Sequence, residues 1–268
     1  MATSPTVRNI LRIPVVYECK HYLIVNKPPN VYSQPPDKRR VSKSDPPYVV
    51  LPELKQEYGE SAKEWRLVHR LDSVVTGGML IAKDKRSSEL FSRNLRHGGN
   101  KGYKLTRRYV ALVNGVPGGL RCSPEFDKDH GVIVTETGTG ERMVTKYVRV
   151  DSRCYILELV TGKKHQIRRH MAEVLGSPIL NDTRYGAPPV MLGSPQGSPR
   201  VHLGGQIGLH SACVFTRVGM QERAHIIPVL YNNCIPLWPE EYVDRDGMFR
   251  RDITDILLQR DWGNEYSF

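Results

Sequence analysis

Short runs of β-branched and aromatic residues, cut at intervals by Gly, Pro or Asn-Gly turns, recur along this chain far more often than helical periodicity does. "IPVVYECKHYLIVNKP" reads as two strands around a polar turn at Glu18 to His21, "MLIAK" as a buried strand, and "RRYVALVNG" as a strand ended at Asn114-Gly115. "RMVTKYVRVDSRCYILELVTG" reads as two alternating strands joined at Asp151-Ser152, and "GLHSACVFTRV" and "AHIIPVLY" as two more. Helical spacing is confined to "VLPELKQEYG", "RSSELFSRNLRHG" with Leu90, Phe91 and Leu95, "HQIRRHMAEVLG" with Ile167, Met171 and Val174, and "DITDILLQRD" in the tail. Glycines 59, 98 and 176 stop the first three. Few strand-helix-strand units result, so a doubly wound parallel sheet is disfavoured and an α+β chain with a mainly antiparallel sheet is expected.

The chain has 268 residues, 39% of them hydrophobic, enough for one full core. No internal repeat and no compositional break divides it. A single domain is expected over residues 13–268, after an N-terminal extension of residues 1–12. Residues 28–47 are rich in Pro and charge and read as a surface loop. They belong to an insertion of about 30–60, and the Pro- and Gly-rich stretch 187–206 reads as a second insertion.

Lys and Arg number 39 against 28 acids, a net charge of +11, which favours a polyanionic partner. The excess is concentrated. From Leu90 to Pro124 there is no acid, yet Arg93, Arg96, Lys101, Lys104, Arg107, Arg108 and Arg121 fall there. A second cluster, "GKKHQIRRH", gathers Lys163, Lys164, His165, Arg168 and Arg169 at a helix start, where free backbone N–H groups also favour anions. Such clusters bind phosphates by releasing counterions.

Five scattered cysteines, an odd number without a Cys-x-x-Cys pair, argue against a disulfide framework and for a reducing compartment. No run approaches the roughly 18 apolar residues that span a bilayer, so no membrane is expected. The first seventeen residues carry two arginines and no acid, a faint likeness to an organelle transit peptide.

Other chemistries lack their residues. His165 and His170 are five apart, on different helix faces, so no metal site is expected. "GGNKG" and "GSPQGSP" match neither a dinucleotide fingerprint nor a phosphate-cradling loop, and no Gly-x-Ser-x-Gly elbow occurs. Asp72, in "WRLVHRLDSVVTGGMLIAKD", is the acid that invites explanation. Three readings stand: a helix N-cap, for which Ser-Val-Val-Thr-Gly-Gly is poor helix material; an ion pair with Arg70; or a nucleophilic or general-base carboxylate at a strand edge that glycines leave open.

The residues carry a resemblance. "HRLDSVVTGGMLIAK" is similar to the signature of the RluA-type pseudouridine synthases, and "LIVNKPPNV", "RRYVALVNG", "TGKKHQIRRHM", "GSPILNDTRYG" and "LHSACVFT" resemble further motifs of that family, in family order from residue 23 to about 216. Departures are few: Val75 and Thr76 stand for Thr-Ser, Asn30 and Asn181 for glycines, and Lys163 for arginine. Asn181 is tolerable if its backbone is left-handed.

The resemblance implies a cofactor-free isomerase that converts a uridine in RNA to pseudouridine, on a long mixed sheet with a central active cleft. It implies that Asp72 is the catalytic aspartate, Tyr109 the active-site tyrosine and Arg168 the aspartate's partner. Contacts to RNA are expected from Arg70, Lys101, Lys104, Arg107, Lys163, Lys164, His165 and Arg169, whereas His69 and Lys27 are read as bracing or phosphate-contacting residues. With no separate RNA-binding domain ahead of the core, target choice is expected from the core and its insertions. The chain most resembles the compact fungal members that act on mitochondrial large-subunit rRNA, with tRNA the alternative target and a binding protein on the same fold the alternative function. A monomer in mitochondria is expected, with cytoplasm or nucleus the alternatives.

Overall fold

The computed structural model describes residues 11–37, 46–98, 102–114, 129–192, 201–202, 205–229, 237–259 and 262. Its centre is an open ten-stranded sheet. In chain order the strands are β1 (Val15–Glu18), β2 (Tyr22–Lys27), β3 (Arg66–Leu67), β4 (Thr76–Ala82), β5 (Tyr103–Leu112), β6 (His130–Glu136), β7 (Arg142–Arg149), β8 (Cys154–Leu159), the short pair β9 (Met191–Leu192) and β10 (Val201–His202), then β11 (Leu209–Val218) and β12 (Gln221–Ile226). Helices are α1 (Val50–Tyr58), α2 (Lys85–His97), α3 (Gln166–Arg169) and α4 (Arg251–Leu258).

Strand order is β1-β2-β4-β11-β5-β8-β7-β6, with β3 also on β4 and β12 on β11, while β9 and β10 pair separately. Every pairing between these strands is antiparallel except β4 with β11, where His210 meets Thr76 and Ser211 meets Gly77. Two glycines make that seam. A Cβ on Gly77 would stand 2.5 Å from the Ser211 carbonyl oxygen, and φ there is +106°. One on Gly78 would meet Val214 at 2.7 Å. The sheet is mixed and mostly antiparallel, as expected.

Both faces of the central strands are covered, so alternate residues serve opposite cores. Tyr109, Ala111 and Val113 join a cluster with Leu23, Met79, Leu157, Ile167 and Met171. Val110 and Leu112 face the other way, to Ile156, Ala212, Trp238, Phe249 and the α4 residues Ile253 and Leu257. Phe91 of α2 packs on Ile24, Leu80 and Val214. The start of α2 is capped by Asp84, whose side chain accepts the Ser87 amide, and Gly98 ends the helix at φ +66°.

Several details depart from expectation. Strand β6 lies in "HGVIVTE", an edge strand in which the outward-facing Val132 and Val134 are as apolar as the buried, inward-facing Ile133, so its two faces do not contrast. Strand β5 starts four residues before Arg107, and β12 lies earlier than "AHIIPVLY". The helix at 166–174 is one α-turn continued by a π-turn from His170 to Val174. Within the Pro-rich 28–47 stretch, Pro28, Val31 and Ser33 are buried, because averaged composition hides single residues tucked under the Asp72 loop. Residues 38–45 and 193–200, in the two insertions, lie outside the described residues. Cys19, Cys154 and Cys213 are free thiols, and no described helix is long and apolar enough to cross a membrane.

Candidate active site

Asp72 sits in the bend between β3 and β4, and no helix follows it. Its loop is fastened residue by residue. The Ser33 hydroxyl donates to the Leu71 carbonyl (2.6 Å) and accepts the Leu71 amide (2.9 Å). The Asn30 amide donates to the Ser73 carbonyl, and the Ile207 amide to that of Val74. Below lies Lys27, fully buried, whose Nζ donates to the carbonyls of Pro28, Val31 and Ser73. Burial pushes its pKa down to about 7, against the opposing pull of the Asp72 charge. Lys27 therefore braces the loop, as expected. Asn30 and Asn181, the two glycine replacements, both have positive φ, +62° and +64°. Asparagine tolerates that region better than any β-branched residue.

Arg168 arrives from a sharp turn. His165 precedes α3 in the left-handed conformation (φ +55°), and Gln166 pins the turn by accepting from Thr161 and the Lys163 amide while donating to Val144 and Thr145. The guanidinium is 7% exposed and forks onto Asp182, which is 1% exposed, through Nε (2.7 Å) and Nη2 (2.8 Å). Its remaining nitrogen, Nη1, donates to Asp72 Oδ2 at 3.0 Å. Burial alone would lower the Arg168 pKa; hydrogen bonds and charge from Asp182, then Asp72, reverse that and raise it. A permanently charged guanidinium thus lies against the Asp72 carboxylate, and no ion pair with Arg70 forms among the described residues. Asp72 Oδ1 accepts no hydrogen bond from the described residues, which leaves one oxygen available to a ligand.

His165 Nε2 lies 3.7 Å from Asp72 Oδ2, and its Nδ1 is 2.8 Å from the Tyr185 hydroxyl. Burial lowers the His165 pKa more than the Asp72 charge restores it. The Tyr185 ring also faces the Arg168 guanidinium at 5.0 Å. Asp182 and Tyr185 are site residues that pattern reading left without a role. Their signal was the "NDTRYG" stretch itself, an acid and an aromatic beside a residue that needs a left-handed backbone.

Two confluent clefts, of about 650 and 750 Å3, share Gln34, Arg70, Asp72, Lys164 and His165. Both are of ligand-site size. Among the expected RNA contacts, Arg70, Lys164 and His165 line both clefts, and Arg107 and Lys163 line the second. Lys163 is also paired with Glu141. Lys104 is not at the site: it lies five residues along β5 from Tyr109, about 17 Å at 3.4 Å per residue, and lines other clefts with Arg217. Arg169 lines neither cleft and pairs with Glu173 at 3.1 Å. Lys101 falls outside the described residues. Tyr109 is 3% exposed in the core under the cleft, with burial raising its pKa and the Asp72 charge adding to the rise. Its ring lines neither cleft. Among the described residues no group of three or more His, Cys, Asp or Glu is arranged to hold a metal.

Comparison with known proteins places this architecture. Solved structures of human RNA pseudouridylate synthase domain containing 4 and 1 share the fold, with TM-scores of 0.56 and 0.54 at 20% and 17% identity. The matches cover 81% and 85% of this chain, and 88% and 86% of the human ones. The fold is thus that of a pseudouridine synthase catalytic domain. At the sequence level, residues 21–173 match the family model described as RNA pseudouridylate synthase. A Saccharomyces cerevisiae protein, 21S rRNA pseudouridine(2819) synthase, is 43% identical over 260 residues, 92% of this chain and 96% of that one. The Eremothecium gossypii protein of the same name is 39% identical over 92% of this chain and 89% of its own length. The chain belongs to the RNA pseudouridylate synthase family, and it is an isomerase that converts uridine to pseudouridine in RNA.

Proposed function

We propose that this enzyme isomerises a uridine of mitochondrial large-subunit rRNA, working as a cofactor-free monomer with Asp72 as its catalytic carboxylate. The observation that carries the reading is the 3.0 Å bond from Arg168 Nη1 to Asp72 Oδ2, with Oδ1 left open in a cation-lined cleft. Support for the target comes from the fungal relatives named 21S rRNA pseudouridine(2819) synthases, matched over 82–96% of their own length.

The reaction breaks the bond from uracil N1 to ribose C1′, turns the freed base and joins C5 to the same carbon. A nucleotide stacked in RNA must first be everted, at a cost of a few kcal/mol that cation contacts to phosphate offset. Arg70 and Lys164, at the rim shared by both clefts, are the residues proposed to make those contacts, with Lys163 and His165 beside them. In the pocket an ionised carboxylate serves each of three routes: bonding to C1′ as positive charge develops there, adding to C6 of the base, or removing a sugar proton to leave a glycal. Arg168 holds the Asp72 carboxylate in place by a charge-assisted bond for any of them. Tyr109, beneath the cleft, is assigned the face on which uracil rests once the site opens, and its hydroxyl the loss of the C5 proton.

The test uses RNA labelled with tritium at uridine C5. Tritium released without free uracil is the expected result; free uracil would identify a glycosylase, and neither a binding protein. Asp72→Asn should abolish release while RNA affinity stays within a few fold. Pseudouridine mapping in cells lacking the gene identifies the RNA, and loss of a tRNA site with rRNA unchanged would move the assignment to tRNA.

A further inference from the structure

Arg107 is a charged group without a counter-charge. It lies on β5, two residues before Tyr109, and is 5% exposed, yet it lines the larger cleft together with Asp72. Among the described residues no carboxylate pairs with it, and its Nε has no hydrogen-bond acceptor. Its near neighbour in sequence, Arg108, shows the usual solution: Glu158 at 2.8 Å, the Leu257 carbonyl at 2.7 Å, and flanking Phe215 and Trp262 rings. Burying a guanidinium without such partners is costly. The terminal nitrogens of Arg107 stand 3.5 Å from where a Cβ on Gly162 would be, so they reach the Thr161–Lys163 turn in the cleft wall.

A second unpartnered donor lines the same cleft. His69 Nε2 accepts the Leu80 amide at 3.0 Å, which fixes the tautomer and leaves the hydrogen on Nδ1. That Nδ1 is buried and has no partner. Burial, then the Arg107 charge, pushes the His69 pKa down to about 3, so the ring is a neutral donor at every working pH. The cleft around them carries Arg70, Arg96 and Lys164, besides Lys163 with its Glu141 partner, and Asp72 is the single carboxylate in its lining. A neutral base edge would leave the guanidinium charge uncompensated; an anion would not.

We infer that Arg107 and His69 form an inner seat for one phosphate of the RNA backbone, next to the uridine that enters the Asp72 pocket. This rests on the function proposed above and adds to it a buried contact point distinct from the rim cations. The seat couples eversion to catalysis: it fills only when the backbone enters the cleft, and its occupant supplies the charge that the empty protein lacks.

Arg107→Met and Arg107→Lys test it against wild type, with a uridine-containing fragment of mitochondrial large-subunit rRNA as the probe. Two measurements are made: KM and kcat for tritium release, and the slope of log Kd against log salt in a binding assay that needs no turnover. Arg107→Met is expected to raise KM at least tenfold, with a much smaller change in kcat, and to lower the salt slope by about 0.7, the loss of one single-strand phosphate contact. Arg107→Lys should restore the slope. The free Arg107→Met protein should melt no lower than wild type, since an uncompensated charge has been removed. An unchanged salt slope, or a lower melting temperature with KM unmoved, overturns the inference whether or not the enzyme turns over. If Arg107→Met shows the expected slope change against wild type but wild-type protein releases no tritium, the proposed function fails and the phosphate seat stands.

Discussion

Asp182→Asn separates positioning of the Asp72 pair from the chemistry assigned to it. The wild-type carboxylate is almost wholly buried and accepts two charge-assisted bonds, at 2.7 and 2.8 Å, from one guanidinium. Asparagine has the same shape but offers one acceptor, and its NH2 group turns a donor toward a donor. Removing one partner of a buried pair costs about 3–5 kcal/mol. Here Asp72 still faces the guanidinium, so the lower bound applies, about 3 kcal/mol. At about 2–4 °C per kcal/mol for a chain of this size, melting should fall by roughly 6–12 °C. The variant stays folded at 25 °C, but Arg168 is no longer held from behind and can swing toward Asp72. A displacement of about 1 Å at the reacting group costs up to about 100-fold, so kcat/KM should fall about 10- to 100-fold. RNA affinity should hold or tighten slightly, because a negative charge has left the cleft wall. Differential scanning fluorimetry, filter binding and tritium release give the three numbers. Wild-type kcat/KM in this variant would refute the positioning role, and an unchanged melting temperature would refute the energetics of the fork.

Two further outcomes follow from the sheet. Gly77→Ala should fail to give soluble, cooperatively melting protein, because its Cβ would stand 2.5 Å from backbone at the Ser211 carbonyl and φ is +106°; a variant melting within 2 °C of wild type, about 1 kcal/mol or less, would show the seam to be looser than described. Stability should fall as pH drops from 6.5 toward 4. His210 is fully buried, with Nδ1 on Thr76 and Nε2 on the Ile227 carbonyl, and burial holds its pKa down to about 4. The unfolded chain takes up a proton near pH 6.5 that the folded protein refuses, a linkage of up to about 3 kcal/mol lost across that window. His170 and His225, also lowered to about 4, push the same way. Urea midpoints at pH 7.5, 5.5 and 4.5 check the sign, and a flat or rising series would contradict it.

The sheet was legible wherever one property repeated with period two or where Gly and Pro closed a run: β2, β4, β7, β8 and β11 all lie where alternation or apolar runs put them. Strand β6 was not, since the outward Val132 and Val134 flank the inward Ile133 and leave no contrast between faces to detect. Asp72 and Arg168 stand 96 residues apart in the chain, and spacing alone left Asp72 between an ion pair with Arg70 and a catalytic role; only the ordered motifs joined it to Arg168. Asp182 went unassigned for a physical reason. A carboxylate that fixes another side chain contributes through what it holds, and the "NDTRYG" stretch marks the place without saying which side chain is held. Lys104 and Arg169 were grouped with the site by charge, but β5 carries Lys104 to the far end of a strand and Glu173 occupies Arg169.

The junction of β4 with β11 has a consequence for biosynthesis. Strands β4 and β5 follow one another in sequence with only α2 between them, yet in the sheet β11, from the last quarter of the polypeptide, lies between them. Closing so long a loop is slow relative to local pairing. The surroundings of residue 72 on the β11 side are therefore complete only after residue 218 has been made, and a chain truncated before β11 is expected to release no tritium.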